Sequence, residues 1–254
     1  MHIACLFALF FVGANADEFK NPAIVCDAGS TGSRVFAFYL LRNGLTHQSY
    51  QVKAKSLGKT SVGLSVFAEK GQFREASESL APLLLQGLRK LGNETPIYIL
   101  ATGGVRSLHN SVKEELLESL KRDLGSSLSE ELHTGILALQ TLEGTDEALF
   151  GLLASNFILG KLPLGDIGKP IPDPFGILDL GGSSLEVSSA GEDGIIGTQD
   201  DVLISFKSLG LEKLKQAVLP NKVCEFGTVC RWFYTLLHSF HRETVNYVAK
   251  EYNK

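Results

Sequence analysis

The sequence predicts an α/β protein built on a central mixed sheet, and three observations predict it. Strand-like apolar runs alternate with amphipathic helical stretches from Ala23 to Leu162, the pattern of layered α/β architecture. A short unit occurs twice: an apolar run, an Asp, a glycine- and serine-rich turn, then a second strand-like stretch. Internal repetition of this kind is architectural information. The chain has 254 residues, 44% of them hydrophobic, enough for a sizeable core and for two compact units.

Met1 to Ala16 is an apolar segment closing on Ala14-Asn15-Ala16, with only His2 in place of a basic start. The small-x-small ending resembles a secretory cleavage site. The segment is shorter than the about 20 apolar residues a membrane span requires, and charges interrupt every later apolar run. The mature chain is therefore expected to be soluble, secreted or in the lumen of the secretory pathway. Ala23 to Cys26 reads as a buried strand leading into Asp27-Ala28-Gly29-Ser30-Thr31-Gly32-Ser33-Arg34. Val35 to Leu41 and Ser49 to Ala54 read as strands about a turn at Arg42-Asn43-Gly44. Lys55 to Lys70 is mixed and reads as loop. Gln72 to Leu91 carries apolar residues at helical spacing (Phe73, Ala76, Leu80, Leu84, Leu88, Leu91), with Gly92-Asn93 as its stop.

Pro96 to Leu100 is a short strand that delivers Ala101-Thr102-Gly103-Gly104. Ser111 to Leu124 is a second helix, acidic early and basic late, which suits the helix dipole. Leu128 to Leu142 fits either helix or strand. Thr145 to Leu162 is a third helix, apolar enough (Leu149, Phe150, Leu152, Leu153) to be buried between two layers. Pro163 to Pro174 holds four prolines and reads as a linker. Gly176-Ile177-Leu178 then reads as a buried strand before Asp179-Leu180-Gly181-Gly182-Ser183-Ser184, and Leu185 to Val187 as the strand after it. Beyond lie a turn at Gly191 to Gly194, a strand at Val202 to Phe206, a helix near Leu211 to Leu219 and an aromatic-rich helical stretch from Thr228 to Tyr252. Asp193, Asp200 and Asp201 lack EF-hand spacing and read as a solvated acidic turn.

Each Asp at a strand end needs a cation or polar ligand to satisfy it. The glycines beside it let backbone N–H groups approach an anion, and Ser and Thr add hydroxyl donors. Two such loops facing each other would enclose a phosphate chain and a hydrated divalent ion, because Mg²⁺ keeps several waters and needs few carboxylates. A formal charge of −4 and an isoelectric point near 5.9, with no Lys/Arg run, argue against nucleic acid as a partner. Cys26 reads as a core thiol, while Cys224 and Cys230 fit either a disulfide or two free thiols. Asn93-Glu94-Thr95 is an N-glycosylation acceptor in a turn.

Asp27 to Arg34 looks like the first apyrase signature of the nucleoside triphosphate diphosphohydrolases. Ala101-Thr102-Gly103-Gly104-Val105-Arg106 is similar to the second. Gly144-Thr145-Asp146-Glu147-Ala148-Leu149-Phe150-Gly151, with Asn156-Phe157-Ile158-Leu159-Gly160, resembles the third, and Leu178 to Ser184 the fourth. The resemblance runs from about Ile24 to about Val187. It implies the actin/hexokinase/Hsp70 superfamily: a ribonuclease H-like, actin-like ATPase lobe with a mixed five-stranded sheet, plus a partial second lobe of the same kind. The expected organisation is a signal peptide over 1–16, a first lobe over 17–162 and an incomplete second lobe over 163–254. The fifth signature is missing, which suggests a truncated member.

The resemblance further implies a nucleotide substrate and a Mg²⁺ or Ca²⁺ ion held through water by Asp27 and Asp179. Ser30, Thr31, Gly32, Arg34, Gly181, Gly182 and Ser183 would bind phosphate. The residues alone leave Glu143, Asp146 and Glu147 open as a general base, and the matched motif selects Glu147. Ser184 and Glu186 would orient the attacking water, and Thr102 and Arg106 would line the cleft floor. Glu186 stands where apyrases usually carry Gln, Leu152 where many have Trp, and Ala148 where Gly is common. The leading expectation is a secreted hydrolase of nucleoside tri- and diphosphates. Two alternatives are an exopolyphosphatase or guanosine-pentaphosphate phosphatase, and a truncated, inactive nucleotide- or partner-binding protein. Oligomeric state is left open.

Overall fold

The computed structural model describes residues 22–42, 50–129, 137–163, 166–207 and 209–211. The expected signal segment, the turn at 43–44, the helix at 211–219 beyond its first residue, the stretch 228–252 and both Cys224 and Cys230 lie outside the described residues. All the described residues belong to one compact unit.

Strands β1 (Ala23–Gly29), β2 (Gly32–Arg42) and β3 (Tyr50–Lys59) form an antiparallel meander, while β4 (Ile97–Ala101) and β5 (Leu137–Thr141) add in parallel beside β1. The result is the expected mixed five-stranded sheet, in the order β3-β2-β1-β4-β5. Strand β1 is central and apolar on both faces. Ile24, Cys26 and Ala28 enter one core with α2 (Phe73–Leu91) and α4 (Asn110–Leu128), and Ala23 and Val25 enter a second with Phe38, Tyr98 and Leu100. A strand covered on both sides reads as a continuous apolar run, which is why it was legible.

Helix α2 buries Ala76, Leu80, Leu84 and Leu88 on one stripe, the i, i+4 spacing that makes a helix one-sided. Pro82 lies inside it on the exposed side, where the carbonyl it leaves unbonded faces water. Burial pushes the Cys26 thiol far up, so it is an inert core group.

Three local expectations change. Lys55 to Lys70 is not loop: Lys55–Lys59 continue β3, and Leu64–Glu69 form helix α1. Residues 53–56 are exposed on both faces of an edge strand, so no apolar alternation marks them, and the lysines guard the edge. A one-turn helix, α3 (Gly103–Arg106), follows β4 and is too short to carry periodicity. Helix α5 spans Gly144–Ile158, starting one residue before and ending four residues before the expected bounds.

The second Asp-glycine unit heads an antiparallel sheet of β6 (Ile177–Leu180), β7 (Leu185–Ser189) and β8 (Val202–Phe206). Strand β6 was expected to be buried; it is an edge, and Leu178 is 46% exposed. Helix α5 is apolar on several sides because it packs in two directions. Phe150 lies against the core of the first sheet, while Leu152, Leu153 and Ala154 form a third core with Leu162, Ile171 and Ile196. The buried Asn156 amide accepts from Phe175 N (2.8 Å) and donates to Phe175 O (2.9 Å), tying the proline-rich connection to α5 where it enters β6. The acidic turn is self-satisfied: Asp193, Asp200 and Asp201 accept backbone N–H groups of their own loop.

Candidate active site

Strands β1 and β4 run parallel and end together, so the turn after β1 and Thr102 after β4 meet, with Thr102 N donating to Ala28 O at 3.2 Å. The carboxyl ends of adjacent parallel strands are where open α/β sheets bind ligands. Gly29 pairs with Gly32 across the first hairpin, leaving Ser30 and Thr31 at its tip. Leu180 pairs with Leu185 across the second, closed by Gly181 N donating to Ser184 O at 3.0 Å.

The two tips touch. A Cβ built on Gly182 would overlap Ser30 Oγ and lie 3.1 Å from Thr31 Cγ2, so only glycine permits this approach. They face one cavity of about 570 Å³, whose wall includes Asp27, Ser30, Thr31, Arg34, Thr102, Glu147, Asp179, Gly181, Gly182, Ser183 and Ser184. Gly182→Val is expected to force the tips apart and abolish binding of a phosphate ligand, while the five-stranded sheet, which does not include this turn, still folds. Nucleotide titration by calorimetry beside circular dichroism checks this.

Two expected site residues stand elsewhere. Gly32 is not in the cavity wall; it starts β2 with φ 150° and abuts the Thr60 carbonyl, so the hairpin's path requires it. Glu186 is also absent from the wall and lies behind Ser184, 2% exposed. It is held by charge: the buried Arg106 guanidinium donates through Nη2 to Glu186 Oε1 at 3.3 Å and to Ser184 Oγ at 3.2 Å. Through Nη1 it donates to Glu147 Oε2 at 2.8 Å and to the Leu142 carbonyl at 2.9 Å. One guanidinium thus joins the second, third and fourth signature segments. The sequence placed Arg106 on a cleft floor, but its partners are 41 and 80 residues away, a distance no local pattern spans.

The electrostatics follow. Glu147 has its pKa pushed up to about 7, by burial first and then by the Glu186 and Asp179 charges, with Arg106 pulling the other way. Asp27 is raised by burial and by Asp179, and opposed by Arg34, whose guanidinium is 3.6 Å away and half exposed. Two carboxylates that repel each other across a cavity form a donor set suited to a divalent cation. Among the described residues no cluster of three or more His, Cys, Asp or Glu side chains could hold an ion, so the described residues offer the pair, which suits a divalent ion held through its waters.

The profile of the GDA1/CD39 (nucleoside phosphatase) family matches residues 14–207. A nucleoside-triphosphatase of Pisum sativum is 32% identical over 179 residues, which are 68% of this chain and 37% of that protein. Apyrase 1 of Arabidopsis thaliana is 32% identical over 182 residues, 70% of this chain and 36% of that protein. The chain thus spans a little over a third of the length of these relatives. Among solved structures, a nucleoside triphosphate hydrolase from Neospora caninum superposes with a TM-score of 0.53 at 16% identity, covering 81% of this chain and 48% of its own. A Ppx/GppA enzyme of Aquifex aeolicus does so with 0.53 at 18% identity, covering 87% and 63%. Both share the fold, and the four signature segments converge on one cavity in a chain whose matched relatives are nucleoside phosphatases. The chain belongs to the GDA1/CD39 nucleoside phosphatase family.

Proposed function

We propose that this chain is a divalent-metal-dependent hydrolase that removes terminal phosphate from nucleoside tri- and diphosphates, in the secretory pathway or outside the cell. The observation that carries the reading is the meeting of two aspartate-tipped glycine turns at one cavity with Glu147 in its wall. Ser30, Thr31, Gly181, Gly182 and Ser183 bind phosphate oxygens through backbone N–H and hydroxyl donors, and Arg34 adds positive charge at the rim. Asp27 and Asp179 would hold Mg²⁺ or Ca²⁺ through water; bound there, the ion neutralises charge on the phosphate chain. Glu147 takes the proton of the attacking water, and Ser184 orients that water. Phosphoryl transfer asks little more of a protein than positioning and electrostatics.

The test is phosphate release by the 254-residue chain from ATP, ADP, GDP, UDP and polyphosphate, with Mg²⁺ or Ca²⁺. Release from nucleotides supports the reading. Release from polyphosphate alone favours the polyphosphatase alternative, and ATP binding without turnover the inactive binding protein.

A base with a pKa of about 7 must lose its proton to act, so activity rises with pH through neutrality. Glu186→Gln removes the charge that, after burial, raises Glu147 most, so the acidic limb of kcat/KM is expected to move to lower pH. An unmoved limb sinks that coupling. Asn93 is exposed in the turn after α2, at the end of β4 remote from the cavity. Expressed through a secretory route, the chain is expected to carry an N-glycan there, seen as a mass loss on enzymatic deglycosylation that Asn93→Gln abolishes.

A further inference from the structure

Ser205 lies on β8, outside every segment that resembles a signature, yet it touches both elements that carry the two buried acids. It is the cross-strand partner of Glu186, which in turn pairs with Asp179, so Asp179, Glu186 and Ser205 form one row across the small sheet. Ser205 Oγ donates to Glu186 Oε1 at 3.0 Å, the same oxygen that accepts from Arg106 Nη2 at 3.3 Å. That oxygen is therefore gripped from two directions. The same serine abuts helix α5 at its first residue: a Cβ added to Gly144 would overlap Ser205 Oγ and Cβ. Gly144 is three residues before Glu147, so the contact sets how closely the helix carrying Glu147 approaches the strand carrying Glu186. A hydrogen bond to a charged group is stronger than one between neutral groups, and in a non-polar surrounding it also fixes the rotamer of the acceptor.

We infer that Ser205 is a positioning residue: it seats Glu186 against Arg106 and, through Gly144, fixes the first turn of α5, thereby setting the spacing of Glu186, Arg106 and Glu147. Its effect on turnover rests on the hydrolase reading; the pairing itself does not. Removing the hydroxyl leaves the phosphate-binding turns intact and lets Glu186 drift, so the loss falls on the chemical step rather than on binding.

The experiment is a double-mutant cycle of Ser205→Ala and Glu186→Ala, read by both turnover and unfolding. In the wild-type background Ser205→Ala is expected to lower kcat about tenfold with KM changed less than about twofold, the size of one lost hydrogen bond to an ionised group. In the Glu186→Ala background the same substitution is expected to change kcat less than about twofold, because the Cβ that abuts Gly144 is kept and the hydrogen-bond partner is already gone. Equal losses in both backgrounds, or a loss carried by KM alone, overturn the inference. In urea unfolding, the two substitutions together are expected to cost less than the sum of each alone; additive losses overturn the pairing. Should the wild-type chain release no phosphate from any nucleotide, the hydrolase reading fails and the unfolding cycle alone decides the inference.

Discussion

Glu147→Gln is expected to lower kcat by about 10²–10⁴-fold, the usual contribution of a positioned general base, while nucleotide affinity stays within a few-fold. The amide keeps the shape of the side chain and can still accept from Arg106, so the fold and the cavity wall persist; what is lost is the capacity to take a proton. A second readout comes from linkage. The Glu147 pKa is raised from 4.5 to about 7 by burial and by the charges of Glu186 and Asp179. The folded chain therefore binds a proton between these values that the unfolded chain has released. The contribution of this group to stability is fully present below about pH 4.5 and is lost as pH rises through about 7. Glu147→Gln removes that decline, so the pH dependence of the urea midpoint is expected to flatten between about pH 5 and 8. Turnover near wild type would remove Glu147 as the base. An unchanged slope in the midpoint would show that its burial is not felt in folding.

Arg106→Met is the second large effect, and it falls on stability as well as activity. Arg106 and Glu186 side chains are 4% and 3% exposed, and Glu147 is 11% exposed. Methionine fills similar space but leaves two carboxylates in a poorly solvated cluster with no counter-charge. Breaking a buried pair in this way costs about 3–5 kcal/mol, a fall in Tm on the order of 10 °C for a unit of about 200 residues. The penalty depends on ionisation. At pH 5.5 Glu147 is protonated in the folded chain, so the loss there is expected to be clearly smaller than at pH 8. Urea unfolding of both proteins at the two pH values measures this. Equal losses would mean that Arg106 acts through its packing and its bond to the Leu142 carbonyl rather than through charge. Arg106→Lys keeps the charge but not the forked donor geometry that reaches both acids and Ser184. It is expected to recover more of the stability than of the activity.

The sheet was legible wherever burial is two-sided or periodic. Ala23 to Cys26 reads as a strand because both faces of it are covered, and Gln72 to Leu91 as a helix because one stripe of it is. Legibility failed where the environment is uneven. Lys55–Lys59 pair as an edge strand without apolar alternation, and Leu178, expected inside, sits on an edge. In the candidate site, Asp27, Asp179 and the serines of both turns are marked in the sequence because each lies in a compact motif of its own, and these motifs line one cavity. Glu186 was found as a departure from a pattern, but its depth behind Ser184 was not, and neither Ser205 nor the reach of Arg106 carried any local mark.

The amino-acid sequence alone determined the family, the alternation of strands and helices, and the residue types gathered in the two glycine turns, because these are properties of short contiguous segments. Which acids share a counter-charge was decided only when the chain folded. Arg106, Glu147, Glu186 and Ser205 come from four segments, and ionisation and hydrogen bonding among them depend on distances of about 3 Å and on exclusion of water, which exist only once the two sheets and α5 are packed.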